Sequence, residues 1–173
     1  MNTRTRKTVF AALFAAICCV ATMFIKIPTP LGGYVNCGDA VVLLGAFLLG
    51  PVWGAAAAGI GSALADIVSG YVIYAPGTLV IKVVMALVAA LLLRKVHTNR
   101  VLAAVICAVI AEVIMVAGYF VYEALPLGFG VAAAANIPFN AVQGVFGAAA
   151  SVALYLALSK IPYVKTLTEG ENK

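Results

Sequence analysis

Charge is nearly absent from this chain over long stretches, and where it does occur limits what the chain can become. Nine of the eleven Lys and Arg residues lie at the N-terminus (Arg4, Arg6, Lys7), in one short segment (Arg94, Lys95, Arg100) or toward the C-terminus (Lys160, Lys165, Lys173). Between them run apolar segments too long for the core helices of a small soluble domain. A soluble domain carries about a quarter charged residues, and this chain carries 10%. The expected class is an all-α integral membrane protein, a single domain over residues 1–173. The net charge of +5 is spread over three segments without aromatic interleaving, which excludes a nucleic-acid stripe and marks the basic residues as topology determinants.

The punctuation divides the chain into six apolar spans: Thr8–Ile25, Asp39–Leu49, Val52–Val68, Thr78–Leu93, Val101–Val121 and Val131–Leu158. Pro28 and Pro30 close the first, Gly50-Pro51 separates the second from the third, and Pro126 lies in the loop before the sixth. The second span has about eleven residues, roughly 16 Å of helix. It cannot cross a hydrocarbon core of about 30 Å alone. The Pro/Gly-rich segment before it is therefore expected to dip below the surface, where irregular backbone survives only against protein or a cavity. Six spans put both termini on one side, and the basic residues make that side cytoplasmic. Arg4–Lys7 before an apolar run also suits a signal peptide. However, Val9–Ile25 is long for the apolar region of one, and Ala15-Ala16-Ile17-Cys18 lacks the Leu of a lipoprotein signal.

A few polar residues interrupt the spans, and with this topology they gather in the outer half. Asp39, Asp66, Lys82, Glu112, Tyr119, Asn136, Asn140 and Gln143 fall there, with Tyr34, Asn36, Tyr71 and Tyr74 in the outer loops. Asn136, Asn140 and Gln143 stand at i, i+4 and i+7 and can share one helix face. A channel needs polar groups through its whole depth. A cavity open only outward is a capture site, and carboxylates, an ammonium, amides and tyrosines suit a small heterocycle rich in hydrogen-bonding groups. Blander roles stand beside these. Asp66 and Lys82 can neutralise each other. Asp39 is expected as the N-cap of its span, and Glu123 as a solvated interfacial residue. Tyr71 and Tyr74 can belong to the interfacial aromatic belt, Asn140 and Gln143 can be interhelical glue, and only Glu112 lacks an evident bland partner.

Cys18, Cys19, Cys37 and Cys107 show no metal-ligand spacing with one another or with His97 and are expected as small apolar fillers. There is no phosphate-loop Gly-x-x-x-x-Gly-Lys-[Ser/Thr], nucleophile elbow or His-Glu-x-x-His, so uphill transport would draw its energy from another protein. Small residues stripe span 1 (Ala11, Ala15; Ala12, Ala16) and span 3 (Gly54, Ala58, Ser62, with Gly59 and Gly61), which permits close helix approach within the chain or to a partner.

Four stretches carry a family resemblance: Gly33–Leu44 (GYVNCGDAVVLL), Gly50–Ala55 (GPVWGA), Gly59–Asp66 (GIGSALAD) and Tyr74–Lys82 (YAPGTLVIK), with Asn136–Gly144 (NIPFNAVQG) fitting the last helix. Together they resemble the substrate-binding S component of an energy-coupling-factor (ECF) vitamin transporter. The resemblance implies a non-enzymatic subunit in the cytoplasmic membrane of a prokaryote. It would capture a vitamin from outside and associate with a membrane coupling protein and two cytoplasmic ATPases, which use the ATP; the chain itself would need no cofactor. In that family the span 1 alanines dock the coupling protein, here Ala11/Ala15 or Ala12/Ala16. The pattern is most similar to the hydroxymethylpyrimidine/pyridoxine-type branch. The single Trp, Trp53, speaks against thiamin, and riboflavin and pantothenate are further alternatives. A small membrane enzyme built on Asp66, Lys82 and Glu112, or an assembly protein without ligand, are the readings from other classes.

Overall fold

In the computed structural model, which describes residues 3–162, the apolar runs form helices joined at their ends by short connections. Helix α1 covers Thr3–Phe24 and is followed by a small antiparallel hairpin, β1 (Lys26–Pro28) with β2 (Tyr34–Asn36), in which Ile27 faces Val35. Then come α2 (Gly38–Val68), α3 (Ala75–Lys95), α4 (Arg100–Ala124), a 3-10 segment over Gly130–Asn136, and α5 (Ile137–Leu158). Lys165 and Lys173, assigned to a cytoplasmic tail, lie outside the described residues.

Among the described residues, five helices are long and apolar enough to cross a membrane. The second and third expected spans are the two arms of α2. At Gly50 the backbone leaves the helix (φ 74°, ψ −174°), and Pro51 opens the second arm, where its missing N–H costs nothing. A methyl group on Gly54 would lie 2.8 Å from both Ala46 Cα and Gly45 O. Residues eight apart on an unbroken helix are separated by about 12 Å, so the chain doubles back and its arms lie against each other. The Gly50 conformation is one that essentially only glycine adopts, costing another residue on the order of 1–3 kcal/mol. Gly50→Ala is therefore expected to lower the thermal midpoint by several degrees while leaving the helical circular dichroism of the folded protein unchanged. An unaltered midpoint would mean that the hairpin does not need this turn.

Small residues set the helix spacing. A methyl on Gly61 would sit 2.4 Å from Ala15 O of α1, and one on Gly59 would sit 2.4 Å from Val83 Cγ2 of α3. Ser62 is buried with its hydroxyl 3.3 Å from Cys18 Sγ. The α2 part of the small-residue stripe thus serves packing within the chain. Above and below it the core is apolar: Leu43, Met85, Ala89, Cys107, Ala111 and Met115 are fully enclosed.

Other boundaries also differ from expectation. The stretch from Val131 is a 3-10 segment, and α5 begins only at Ile137, with Pro138 in its first turn. Helix α4 continues past Val121 to Ala124, which carries Glu123 into its last turn. Segment 29–36 contains a paired hairpin instead of unstructured loop alone. The connections after α1, the second arm of α2 and α4 meet at one end of the bundle. The basic residues of α1 and of the α3–α4 turn lie at the other, where the Arg100 guanidinium stands 5.9 Å from the Tyr155 ring centroid.

Candidate functional site

The end of the bundle opposite the basic turns holds a buried polar cavity. Its walls come from five segments: Thr29, Gly33, Tyr34 and Asn36 of the hairpin, Asp66 of α2, Tyr74 and Thr78 at the start of α3, Tyr119 and Glu123 of α4, and Asn140 and Gln143 of α5. Each segment arrives here because its helix starts or stops here. The free space between these side chains is about 20 Å³, room for one water or two.

Rings cover the cavity. The Tyr34 and Tyr71 centroids are 4.5 Å apart, Tyr71 and Tyr74 are 6.5 Å apart, and Tyr74 and Tyr122 are 6.4 Å apart. The Tyr34 hydroxyl donates to Asp66 Oδ1 at 2.6 Å, and burial together with that carboxylate pushes its pKa well above the ordinary tyrosine value, so it stays a donor. Tyr74 is buried, its hydroxyl 3.4 Å from both Leu31 O and Glu123 Oε1, and burial raises its pKa too. Gly33 lets the hairpin come this close, since a methyl there would lie 3.2 Å from the Tyr74 hydroxyl.

Beneath the cavity lies a buried ionic network. Lys82 pairs with Asp39 Oδ1, and Gln143 Nε2 donates to Asp39 Oδ2 at 2.6 Å. Gln143 Oε1 in turn accepts the Asn36 backbone N–H at 2.7 Å, tying the hairpin to the ion pair. The Lys82 ammonium stands 5.4 Å from the Tyr119 ring centroid, and the Tyr119 hydroxyl shares a 3.0 Å hydrogen bond with Thr78. Glu112 is 5% exposed and neither carboxyl oxygen has a hydrogen-bond partner among the described residues. Its carboxyl fits because position 147 is glycine: a methyl there would lie 2.4 Å from Glu112 Oε1 and 2.7 Å from Asp39 Cβ.

Of the residues singled out in the sequence, Tyr34, Asn36, Asp66, Tyr74, Tyr119, Asn140 and Gln143 come together on the cavity wall. Asp39, Lys82 and Glu112 lie beside one another below it, and Asn136 is buried behind it, donating to Glu123 Oε1 at 2.8 Å. Three local expectations are corrected. Lys82 pairs with Asp39 and not with Asp66, because Asp39 lies in the first turn of a short arm that brings it to the depth of Lys82. Asp39 is not an N-cap: Cys37 holds that position, and the Gly38 N–H is taken by Asn36 Oδ1 at 2.8 Å. Glu123 is not solvated but 2% exposed.

Glu123, Thr78, Thr29 and Gly33 were missed as cavity residues. Only Glu123 had a signal, a carboxylate one helical turn beyond Tyr119, inside what proves to be the same helix. No group of His, Cys, Asp and Glu suited to a metal ion occurs among the described residues.

On the α1 face away from the cavity, Ala11, Ala12, Ala15 and Ala16 line an apolar groove with Trp53, Ala56, Ile60 and Leu64 of α2. Ala11 is buried against Leu49 and Ala57, whereas Ala12 and Ala16 are exposed.

Comparison with known proteins agrees with this architecture. A protein of Pyrococcus woesei, described as an uncharacterized protein in the gap 3′ region, is 52% identical over 64 residues, covering 36% of this chain and 43% of the relative. The chain thus matches less than half the length of that relative. The family model for the S component of ECF-type riboflavin transporters matches residues 2–160. Members of that family are multi-pass membrane transport subunits and not enzymes. This chain, matched over nearly its whole length, belongs to the ECF-type riboflavin transporter S component family.

Proposed function

We propose that this subunit captures a small, water-soluble vitamin or vitamin precursor from outside the cell, and that the solute is a single-ring heterocycle of the pyridoxine or hydroxymethylpyrimidine type. The observation that carries the reading is the polar cavity at the end of the bundle opposite the basic turns. With the basic end cytoplasmic, that cavity faces outward. Tyrosine rings offer stacking surfaces, and carboxylates and amides offer partners for ring hydroxymethyl or amino groups. The cavity is nearly closed as it stands, so binding requires the hairpin and the tyrosines to part. A single ring asks for less displacement than a tricyclic one. Riboflavin is the second reading, supported by the description of the matching family.

The chain has no phosphate loop, so ATP would be used by partners: a membrane coupling protein and two cytoplasmic ATPases. The alanine groove on α1 is the surface proposed to meet the coupling protein.

A thermal-shift screen with pyridoxine, 4-amino-5-hydroxymethyl-2-methylpyrimidine, riboflavin, pantothenate and thiamin tests the capture reading. A solute at 100 times its Kd stabilises the folded form by about 2.7 kcal/mol, a shift of several degrees. Stabilisation by riboflavin alone would decide for the second reading, and no shift with any of them would remove the capture role.

A further inference from the structure

The cavity wall carries two carboxyl groups and, among the described residues, no Lys, Arg or His, which bears on the charge of what can enter. Asp66 is 3% and Glu123 2% exposed, and both line the cavity. Each uses one oxygen within the protein: Asp66 Oδ1 accepts from Tyr34, and Glu123 Oε1 accepts from Asn136. Asp66 Oδ2 and Glu123 Oε2 are buried without a hydrogen-bond partner among the described residues, and so is Thr29 Oγ1 on the same wall. A buried acceptor without a donor is costly, and a buried carboxylate oxygen more so. The nearest ammonium, that of Lys82, is already held by Asp39 below the cavity. Lys26 lies at the mouth, 6.0 Å from the outer ring of Tyr34. The Tyr34 hydroxyl is engaged with Asp66, and the Thr78 hydroxyl lies between Tyr119 and Asp66.

We infer that the cavity selects neutral or cationic solutes that present hydrogen-bond donors to Asp66 Oδ2 and Glu123 Oε2, and that it rejects anionic ones, phosphate esters above all. Two donors on one small ring, such as hydroxymethyl, phenol or amino groups, would satisfy both orphan oxygens. A phosphate or carboxylate would instead bring its own charge and further acceptors against two carboxyl groups in a confined, water-poor space. This selectivity rests on the capture reading but not on which vitamin is taken.

The test uses matched pairs differing in one phosphate: pyridoxine with pyridoxine 5′-phosphate, the hydroxymethylpyrimidine with its phosphate ester, and riboflavin with flavin mononucleotide. Affinities are measured by calorimetry on the purified full chain. Whichever parent binds is expected to do so more tightly than its phosphate by on the order of 100-fold or more. In the Asp66→Asn/Glu123→Gln protein the parent should weaken at least tenfold, and its preference over the phosphate should fall to within about tenfold. Equal or tighter binding of a phosphate by the native chain would overturn the charge selectivity while leaving vitamin capture intact. So would a double variant that keeps the full preference. Failure of all six compounds to bind the native chain would overturn capture, and the selectivity with it.

Discussion

Replacing Lys82 by methionine is expected to be the most damaging single change in the interior, costing about 3–5 kcal/mol. Lys82 is 2% exposed, and its ammonium is paired with an equally enclosed Asp39. Methionine fills much of the same volume, so the loss is electrostatic rather than steric. Among the described residues, Asp39 would keep only the Gln143 amide as a partner, and Glu112 beside it already has two unpartnered oxygens. In a low-dielectric interior the uncompensated carboxylate must either draw in water or take up a proton. The predicted result is a fall of many degrees in thermal midpoint and poor recovery from membranes. The companion variant Lys82→Met/Asp39→Asn should regain most of that stability, since it removes the charge together with its partner and leaves a neutral group for Gln143. A double variant as unstable as the single one would show that Lys82 acts through packing and not through the pair.

Gly61→Val is expected to have the second largest effect. A β-carbon there would lie 2.4 Å from the carbonyl oxygen of Ala15, 3.0 Å from its Cα and 3.0 Å from Cys18 Cβ. The obstacle is backbone, which cannot rotate away as a side chain can. Helix α1 would have to move off α2, taking with it the Cys18–Ser62 contact and the burial of Ala11 against Ala57. Overpacking of this kind costs about 1–3 kcal/mol even where side chains can yield, so about 3 kcal/mol is expected here. Gly70→Ala is the appropriate comparison. Gly70 has φ 85° but nothing near its would-be methyl, so only backbone strain of about 1 kcal/mol is expected. A clear gap between the two midpoints is expected, and equal midpoints would show that the close approach of α1 to Gly61 does not limit stability.

What the sequence reveals and what it hides divide along local and non-local lines. The apolar runs, the Gly50-Pro51 break and the basic turn are local signals, and the helices follow them closely. The depth of each polar residue is also local, since it counts residues from a span end, and this is why Asp39, Asp66, Lys82, Asn140 and Gln143 gather at one end. The rotational face is not local. Asp39 and Asp66 lie near the outer ends of the two arms of α2, and only the packing of the arms puts Asp39, not Asp66, on Lys82. Glu123 was misassigned because a span boundary three residues short moved a buried carboxylate into solvent. The β1–β2 hairpin has strands of three residues bounded by Pro and Gly, and its position depends on Gln143, 107 residues from Asn36. The space that Gly147 leaves for Glu112 likewise needs three dimensions to see. The oxygens of Asp66 and Glu123 that lack partners among the described residues come from the same non-local arrangement.

Native mass spectrometry of the gently purified protein shows whether the polar cavity is where solute is held. The native chain, incubated with the solute that stabilises it, is predicted to carry one molecule of it. Asn140→Leu, which removes the amide from the cavity wall at nearly constant volume, is predicted to fold and to lose most of the bound solute. An Asn140→Leu protein that retains the same one-to-one complex would place the binding site elsewhere.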